Sequence, residues 1–168
     1  MVIRDAIAAD AEALLAIYSP FVRDTAVSFE LQLPSVEEFR SRIAAAQAGW
    51  AWLVAEEEGT VTGYAYGSSF RSRPAYRFSA ETSAYVHPDY RRQGIAKRLY
   101  ADLIQRLGAR GYCNAYAGIA LPNEASVSLH QSIGFTPVGV LRRAGWKFGA
   151  WHDVSWWQLQ LREAPPAE

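Results

Sequence analysis

The sequence predicts an α/β fold (α+β in the arrangement of its elements), built on a mixed central sheet of about seven strands with flanking helices. Three observations predict it. The chain has 168 residues, the length of a single domain at roughly 100–200 residues each. Half of those residues are hydrophobic and 13% are aromatic, ample material for a packed core. Short β-like runs alternate with helical periodicities, an antiparallel first half giving way to strand–helix–strand–helix. We expect one domain over residues 1–162 and a loose tail over 163–168, where Pro165-Pro166 stands among small and acidic residues.

The elements follow in order. Val2–Asp5 is short and β-like. From Ala8 to about Val22, Leu14, Leu15, Ile17, Tyr18 and Phe21 recur at helical spacing. Ser35 and Glu38 stand at capping-box separation and open a second helix running to about Gln47. Trp50–Glu56 and Val61–Gly67 read as strands joined through Glu58-Gly59-Thr60, a hairpin. Phe78–His87 is another strand. Ile95 to about Arg110 is amphipathic through Leu99, Tyr100, Leu103, Ile104 and Leu107, and Gly111 stops it. Tyr112–Ile119 is a strand, Ala125–Ile133 a short helix ending at Gly134, and Val138–Leu141 with Val154–Leu161 close the sheet.

Composition excludes several classes. Lys+Arg and Asp+Glu both number 17, so the basic footprint of a nucleic-acid-binding domain is missing. One cysteine leaves no internal disulfide framework and no cysteine-based zinc site. His87, His130 and His152 lack metal-ligand spacing, so no metal is expected. No run approaches the roughly 20 apolar residues of a membrane helix. Met1-Val2-Ile3-Arg4-Asp5 lacks the apolar core of a signal peptide, so the expectation is a cytoplasmic protein without nucleic-acid or membrane partners. Cys113 and the tryptophans Trp146, Trp151, Trp156 and Trp157 are expected in the core, the tryptophans also at a homodimer interface. An apolar closing strand over Val154–Leu161 would otherwise leave an edge and a face uncovered.

The segment Ala84-Tyr85-Val86-His87-Pro88-Asp89-Tyr90-Arg91-Arg92-Gln93-Gly94-Ile95-Ala96-Lys97 carries the chemistry. A strand ends at a proline, crosses a basic turn and enters a helix through small residues. The first N–H groups of a helix have no intrahelical partner, and the helix dipole adds positive potential there. Gly94 and Ala96 let a phosphate come close, while Arg91, Arg92 and Lys97 supply formal charge. A pyrophosphate suits such a cradle. Taken alone, Arg-x-x-Gly-x-Ala is a weak motif that reads first as a solvated turn capping a helix.

Its context settles the comparison. After Arg91-x-x-Gly94-x-Ala96 come a long amphipathic helix, a strand, Asn123, and Ser132-Ile133-Gly134-Phe135. This ordered set resembles the GNAT N-acetyltransferases from Ile3 to Leu161. Three stretches resemble the phosphinothricin and methionine sulfoximine acetyltransferase branch. They are Arg73-Pro74-Ala75-Tyr76 leading into Ala80-Glu81-Thr82-Ser83, then Gly118-Ile119-Ala120-Leu121-Pro122-Asn123, and Arg143-Ala144-Gly145-Trp146-Lys147-Phe148-Gly149-Ala150-Trp151-His152-Asp153-Val154. The resemblance implies the GNAT fold, whose two splayed parallel strands hold acetyl-CoA. It implies that Ala84, Tyr85 and Val86 offer backbone to the pantetheine arm. Arg91, Arg92, Gln93, Gly94, Ile95, Ala96 and Lys97 would hold the pyrophosphate, with Asn123 and Ser132 on the far side of the cofactor. It assigns Arg71, Ser72, Arg73, Glu81, Thr82 and Ser83 to a small amino-acid-like substrate.

Acetyl transfer to an amine needs the neutral amine, because an ammonium has no lone pair. Glu81 is the candidate base: strand alternation puts Ser79, Glu81, Ser83 and Tyr85 on one face, and partial burial raises a carboxylate's pKa. A backbone N–H near Val86 would meet the thioester oxyanion. Many relatives place a tyrosine as proton donor in the helix before the Gly-Phe pair, and here that place holds His130. The alternative for His130 is a hydrogen-bonded helix residue. Arg71 and Arg73 carry the forks that suit a carboxylate or phosphinyl oxygen. Three readings therefore stand: an acetyltransferase for a small amino acid analogue, one for a polyamine, aminoglycoside or protein N-terminus, and a CoA-binding module without turnover.

Overall fold

The structure is a computed structural model that describes residues 1–166. Part of the expected tail, residues 167 and 168, lies outside the described residues. Eleven elements follow one another: β1 (Val2–Asp5), α1 (Ala11–Asp24), α2 (Val36–Gly49), β2 (Trp52–Glu57), β3 (Thr60–Ser69), β4 (Ser79–Val86), α3 (Ile95–Ala109), β5 (Asn114–Ala120), α4 (Glu124–Ile133), β6 (Thr136–Lys147) and β7 (Ala150–Gln160). Short 3₁₀ turns precede α1, β4 and α3. The order matches the sequence reading, with ends shifted by a few residues.

The strands form one seven-stranded sheet in the order β1-β2-β3-β4-β5-β7-β6. Neighbours are antiparallel throughout except β4 and β5, which run parallel. That parallel pair is short: Ser79, Ala80 and Glu81 of β4 face Asn114, Ala115 and Tyr116 of β5, and the pairing stops there. Both strands continue, β4 to Val86 on the edge of β3 and β5 to Ala120 on the edge of β7. A gap opens between them beyond Glu81.

Helices cover both faces. On one, Leu99, Leu103 and Leu107 of α3 recur every fourth residue and are buried with Leu53, Ala65 and Ala80. On the other, Tyr18 of α1 and Phe39 of α2 pack into one aromatic layer with Trp52 and Tyr64 of the sheet. Tyr100 of α3 turns instead toward α4 and packs with Phe135, Ala117 and Trp157. Ser35 caps α2, its hydroxyl accepting from the Glu38 N–H at 3.1 Å, a contact of about 1 kcal/mol.

Four expectations are corrected. The sixth strand, expected over Val138–Leu141, runs from Thr136 to Lys147, because β7 pairs with it on both sides of a bulge between Leu141 and Gly145. The basic Arg142-Arg143 step reads locally as a loop, and Arg143 does adopt a positive φ of 50°, but ladder pairing resumes beyond it. The segment Val154–Leu161 is not at an edge: all but its last residue belong to β7, which lies between β5 and β6, so β6 is the edge strand. Cys113 is buried as expected, though it precedes β5 rather than lying within it. Of the tryptophans, Trp157 is buried, whereas Trp146 and Trp151 are exposed and meet edge to face at 5.2 Å.

Candidate active site

The gap between β4 and β5 organises the site. Strand alternation sends Glu81, Ser83 and Tyr85 to the α1 side, where Tyr85 packs against Tyr18 and Phe21. Thr82 faces the other way and is buried, its hydroxyl donating to the Tyr116 carbonyl at 3.1 Å. The His87 N–H crosses to the Thr62 carbonyl of β3 at 2.9 Å. By the alternation of an antiparallel ladder, the N–H groups of Ala84 and Val86 therefore point away from β3, into the gap.

A groove of about 640 Å³ follows that gap to the start of α3, lined by Ala84, Tyr85, Val86, Arg91, Arg92, Gly94, Ile95, Ala96, Lys97 and Asn123 together with Phe21, Thr25 and Val27. Gly94 takes a left-handed φ of 76° and Arg92 one of 62°, which wraps the turn around the helix N-terminus. The first intrahelical bond runs from the Arg98 N–H to the Gly94 carbonyl at 3.1 Å. The N–H groups ahead of Arg98 are thus left to a ligand or to water. An added Cβ on Gly94 would meet nothing within 4 Å, so the glycine serves the backbone turn and open access. Unused N–H donors, the helix dipole and three cationic side chains fit an extended cofactor with a pyrophosphate. Of the residues expected here, Gln93 lies outside the groove lining, and Ser132 turns its hydroxyl back to the Leu129 carbonyl at 2.8 Å. Asn123 lines the groove while its side-chain oxygen caps α4 by accepting from the Ser126 N–H at 3.1 Å.

Across the gap a second pocket of about 500 Å³ is lined by Glu81, Ser83 and Tyr85, by Gly118 and Trp156, and by the segment Val27–Glu30. Burial raises the Glu81 pKa above its ordinary value, with Arg71 pulling partly against that. Arg71 lies over the Phe70 ring at 4.3 Å and beside Trp156 at 5.5 Å. Phe70 itself stacks on Tyr116 at 4.1 Å. Arg71, Ser72 and Arg73 are exposed on the loop after β3 and do not line this pocket. A narrow passage between groove and pocket is lined by Thr82, Ser83, Tyr100, Ala117, Asn123 and His130, among others.

His130 is only 4% exposed. Its Nδ1 stands 2.7 Å from the Ser126 carbonyl and its Nε2 2.9 Å from the Tyr100 hydroxyl. A carbonyl accepts only, so Nδ1 carries the proton and Nε2 accepts from Tyr100. Burial also lowers the His130 pKa, and raises that of Tyr100. In this arrangement the imidazole is neutral and its one N–H is committed to Ser126. Sequence reasoning missed Tyr100, the segment Val27–Glu30 and Trp156. The first looks like a core position of α3, and nothing in the local pattern of the others marks a site. Among the described residues no group of three or more His, Cys, Asp or Glu is placed to hold a metal ion, and no helix is long and apolar enough to cross a membrane.

A parallel strand pair that splays above an anion-binding helix start defines a class, and the comparisons agree with it: residues 3–156 match the acetyltransferase (GNAT) domain family, and the chain belongs to that family of N-acetyltransferases. It is 38% identical over 165 residues to a phosphinothricin N-acetyltransferase of Streptomyces viridochromogenes, covering 98% of this chain and 90% of the relative. It is 38% identical over 170 residues to the L-methionine sulfoximine/L-methionine sulfone acetyltransferase of Salmonella typhimurium, covering 99% of both. The crystal structure of a phosphinothricin acetyltransferase from Sinorhizobium meliloti in complex with acetyl-CoA superposes with a TM-score of 0.93 at 36% identity, covering 99% of this chain and 91% of that one.

Proposed function

We propose that this N-acetyltransferase takes the acetyl group of acetyl-CoA and transfers it to the α-amino group of a small amino acid analogue, L-phosphinothricin, L-methionine sulfoximine or a similar compound, in a ternary complex. The observation that carries the reading is the parting of β4 and β5 at Glu81, which leaves an anion cradle on one side and a carboxylate pocket on the other. Acetyl-CoA would lie in the groove, its pyrophosphate over the α3 N-terminus and its thioester at the passage beside Ala84 and Val86. The acceptor would enter from the Glu81 pocket.

Glu81 takes the proton of the substrate ammonium, a role its raised pKa suits. The free amine attacks the thioester carbonyl, the C–N bond forms, and the oxyanion meets an N–H of the gap-facing β4 backbone. The adduct's nitrogen then loses its second proton to water, and collapse of the intermediate breaks the C–S bond and expels CoA thiolate. With a thiol pKa near 8.5, the thiolate leaves as the anion. Of the two readings of His130, proton donor or hydrogen-bonded helix residue, its burial and committed N–H favour the second, with the imidazole holding the Tyr100 hydroxyl at the passage wall. Arg71 or Arg73 would meet the acceptor's carboxylate by movement of the exposed loop after β3.

We also propose a homodimer. Val138 (60% exposed), Trp146 (55%) and Phe148 (61%) leave apolar surface along the β6 edge and the β6–β7 hairpin, a patch that a second copy would cover. The test of function is CoA-thiol release from acetyl-CoA with an amine panel of L-phosphinothricin, L-methionine sulfoximine, ordinary L-amino acids, spermidine and an aminoglycoside. Release with the first two alone supports the reading. Release only with spermidine or the aminoglycoside replaces the substrate, and binding of acetyl-CoA without release to any amine favours a binding module.

A further inference from the structure

Lys147 closes the β6–β7 hairpin, opposite Ala150 across a turn in which Phe148 and Gly149 both take positive φ, 52° and 70°. Its side chain does not reach for solvent. It is 3% exposed, and its ammonium donates to the Val22 carbonyl and to the Ser28 carbonyl, each at 2.7 Å. Val22 lies in the last turn of α1, where carbonyl groups lack intrahelical partners and a cation is favoured by the helix dipole. Ser28 belongs to the segment between α1 and α2 that has no regular structure of its own. One ammonium thus ties the end of α1 to that segment from more than a hundred positions away in the chain.

The same hairpin grips the segment at a second point. Gly145 lies against the Phe29 ring so closely that an added Cβ would overlap it, and the His152 ring stands 6.2 Å from that of Phe29. The gripped segment is central to the site: Val27 lines the cofactor groove, the passage and the acceptor pocket alike. Burying an ammonium is costly without full hydrogen bonding, and burial does pull the Lys147 pKa down while Glu30 raises it. A charge kept in such a place for packing alone has an apolar substitute of the same length, methionine.

We propose that Lys147 is a positioning residue for acetyl transfer. By clasping the carbonyls of Val22 and Ser28 it fixes the segment Thr25–Glu30, and with it Val27, where groove, passage and acceptor pocket meet. This rests on the acetyltransferase reading above, so the test has one arm that does not depend on any substrate. The Val27 N–H donates to the Thr25 hydroxyl and the Glu30 N–H to the Ser28 hydroxyl, both at 3.2 Å, and their hydrogen exchange reports on the segment.

In Lys147→Met, exchange at Val27 and Glu30 should accelerate tenfold or more, while β2 and β3 amides stay as slow as in the wild type. With whichever amine the wild type turns over, kcat/KM for that amine should fall at least tenfold, and the Kd for acetyl-CoA should move only a few-fold. Wild-type exchange at Val27 and Glu30 in a folded variant overturns the proposal, whatever happens to activity. Faster exchange with full kcat/KM overturns the positioning role. Should Lys147→Met not fold, the wild type alone decides: Val27 and Glu30 amides as protected as those of the last turn of α1 support the clasp, and exchange at unprotected rates overturns it. A wild type inactive with every amine sinks the acetyl-transfer reading and leaves the exchange result to judge the clasp.

Discussion

Glu81 stands opposite Tyr116 at the last rung on which β4 and β5 pair. The candidate base is therefore placed where the sheet opens, inside enough to be desolvated yet directly before Thr82 and Ser83, which line the passage. Sheet geometry and acid–base chemistry meet in one residue.

Glu81→Gln keeps the shape and removes the charge. Loss of a general base costs about 10²–10⁴ in rate, and kcat should fall in that range with acetyl-CoA affinity retained. In the wild type, kcat/KM should rise with pH through a pKa above the ordinary glutamate value, since burial raises it. Stability runs the other way. A carboxyl whose pKa is higher folded than unfolded binds its proton more tightly when folded, so stability falls as pH rises from the unfolded value through the folded one. Glu81→Gln should consequently raise the melting temperature at pH 7 but not at pH 4, as differential scanning calorimetry would show.

Gly94→Ala tests the cradle. A left-handed φ of 76° costs an alanine about 1–2 kcal/mol, with no clash to add because the space is open. The methyl group stands where a phosphate must approach, so the Kd for acetyl-CoA should rise about tenfold by isothermal titration calorimetry. Removing the Arg91 and Arg92 guanidinium groups should weaken binding further at low salt than at high salt.

Tyr100→Phe separates the two readings of His130. The substitution leaves Nε2 buried without its 2.9 Å partner, a cost of about 1–3 kcal/mol in stability. If His130 only holds the passage wall, kcat should drop less than tenfold and the variant's pH profile should keep the wild-type shape. A hundredfold loss, with a descending limb in the wild type that the variant lacks, would return the proton-donor role to the pair.

Phe148→Ser and Trp146→Ser remove exposed apolar side chains from the β6–β7 hairpin while leaving its backbone ladder in place. Light scattering should show the wild type at twice the chain mass and these variants shifted toward one. A monomeric wild type would remove the dimer.

Much of this was legible along the chain. Leu99, Leu103 and Leu107 mark α3 by their period, Ser35 marks the start of α2, and the basic turn from Arg91 to Lys97 stands out as a candidate anion site once its neighbours along the chain are read with it. These signals are local, set by spacing within one element. The edge position of β6, its continuation past Arg143 and the reach of Lys147 to Val22 and Ser28 are not local. Each depends on which distant strand or loop lies alongside, and nothing in the residues themselves encodes that neighbour at short range.

The sequence by itself determined the alternation of elements and the core faces, and its family resemblance pointed to the Arg91–Lys97 turn and to Glu81 as candidate site residues. Tertiary structure alone decided that β4 and β5 part at Glu81, that Tyr100 meets His130 at the passage, and that Val27–Glu30 forms one wall of the pocket that holds Glu81. The physical reason is range. Periodicity and capping are written over a few residues, whereas a site is assembled by contacts between segments that pair only when the whole sheet closes.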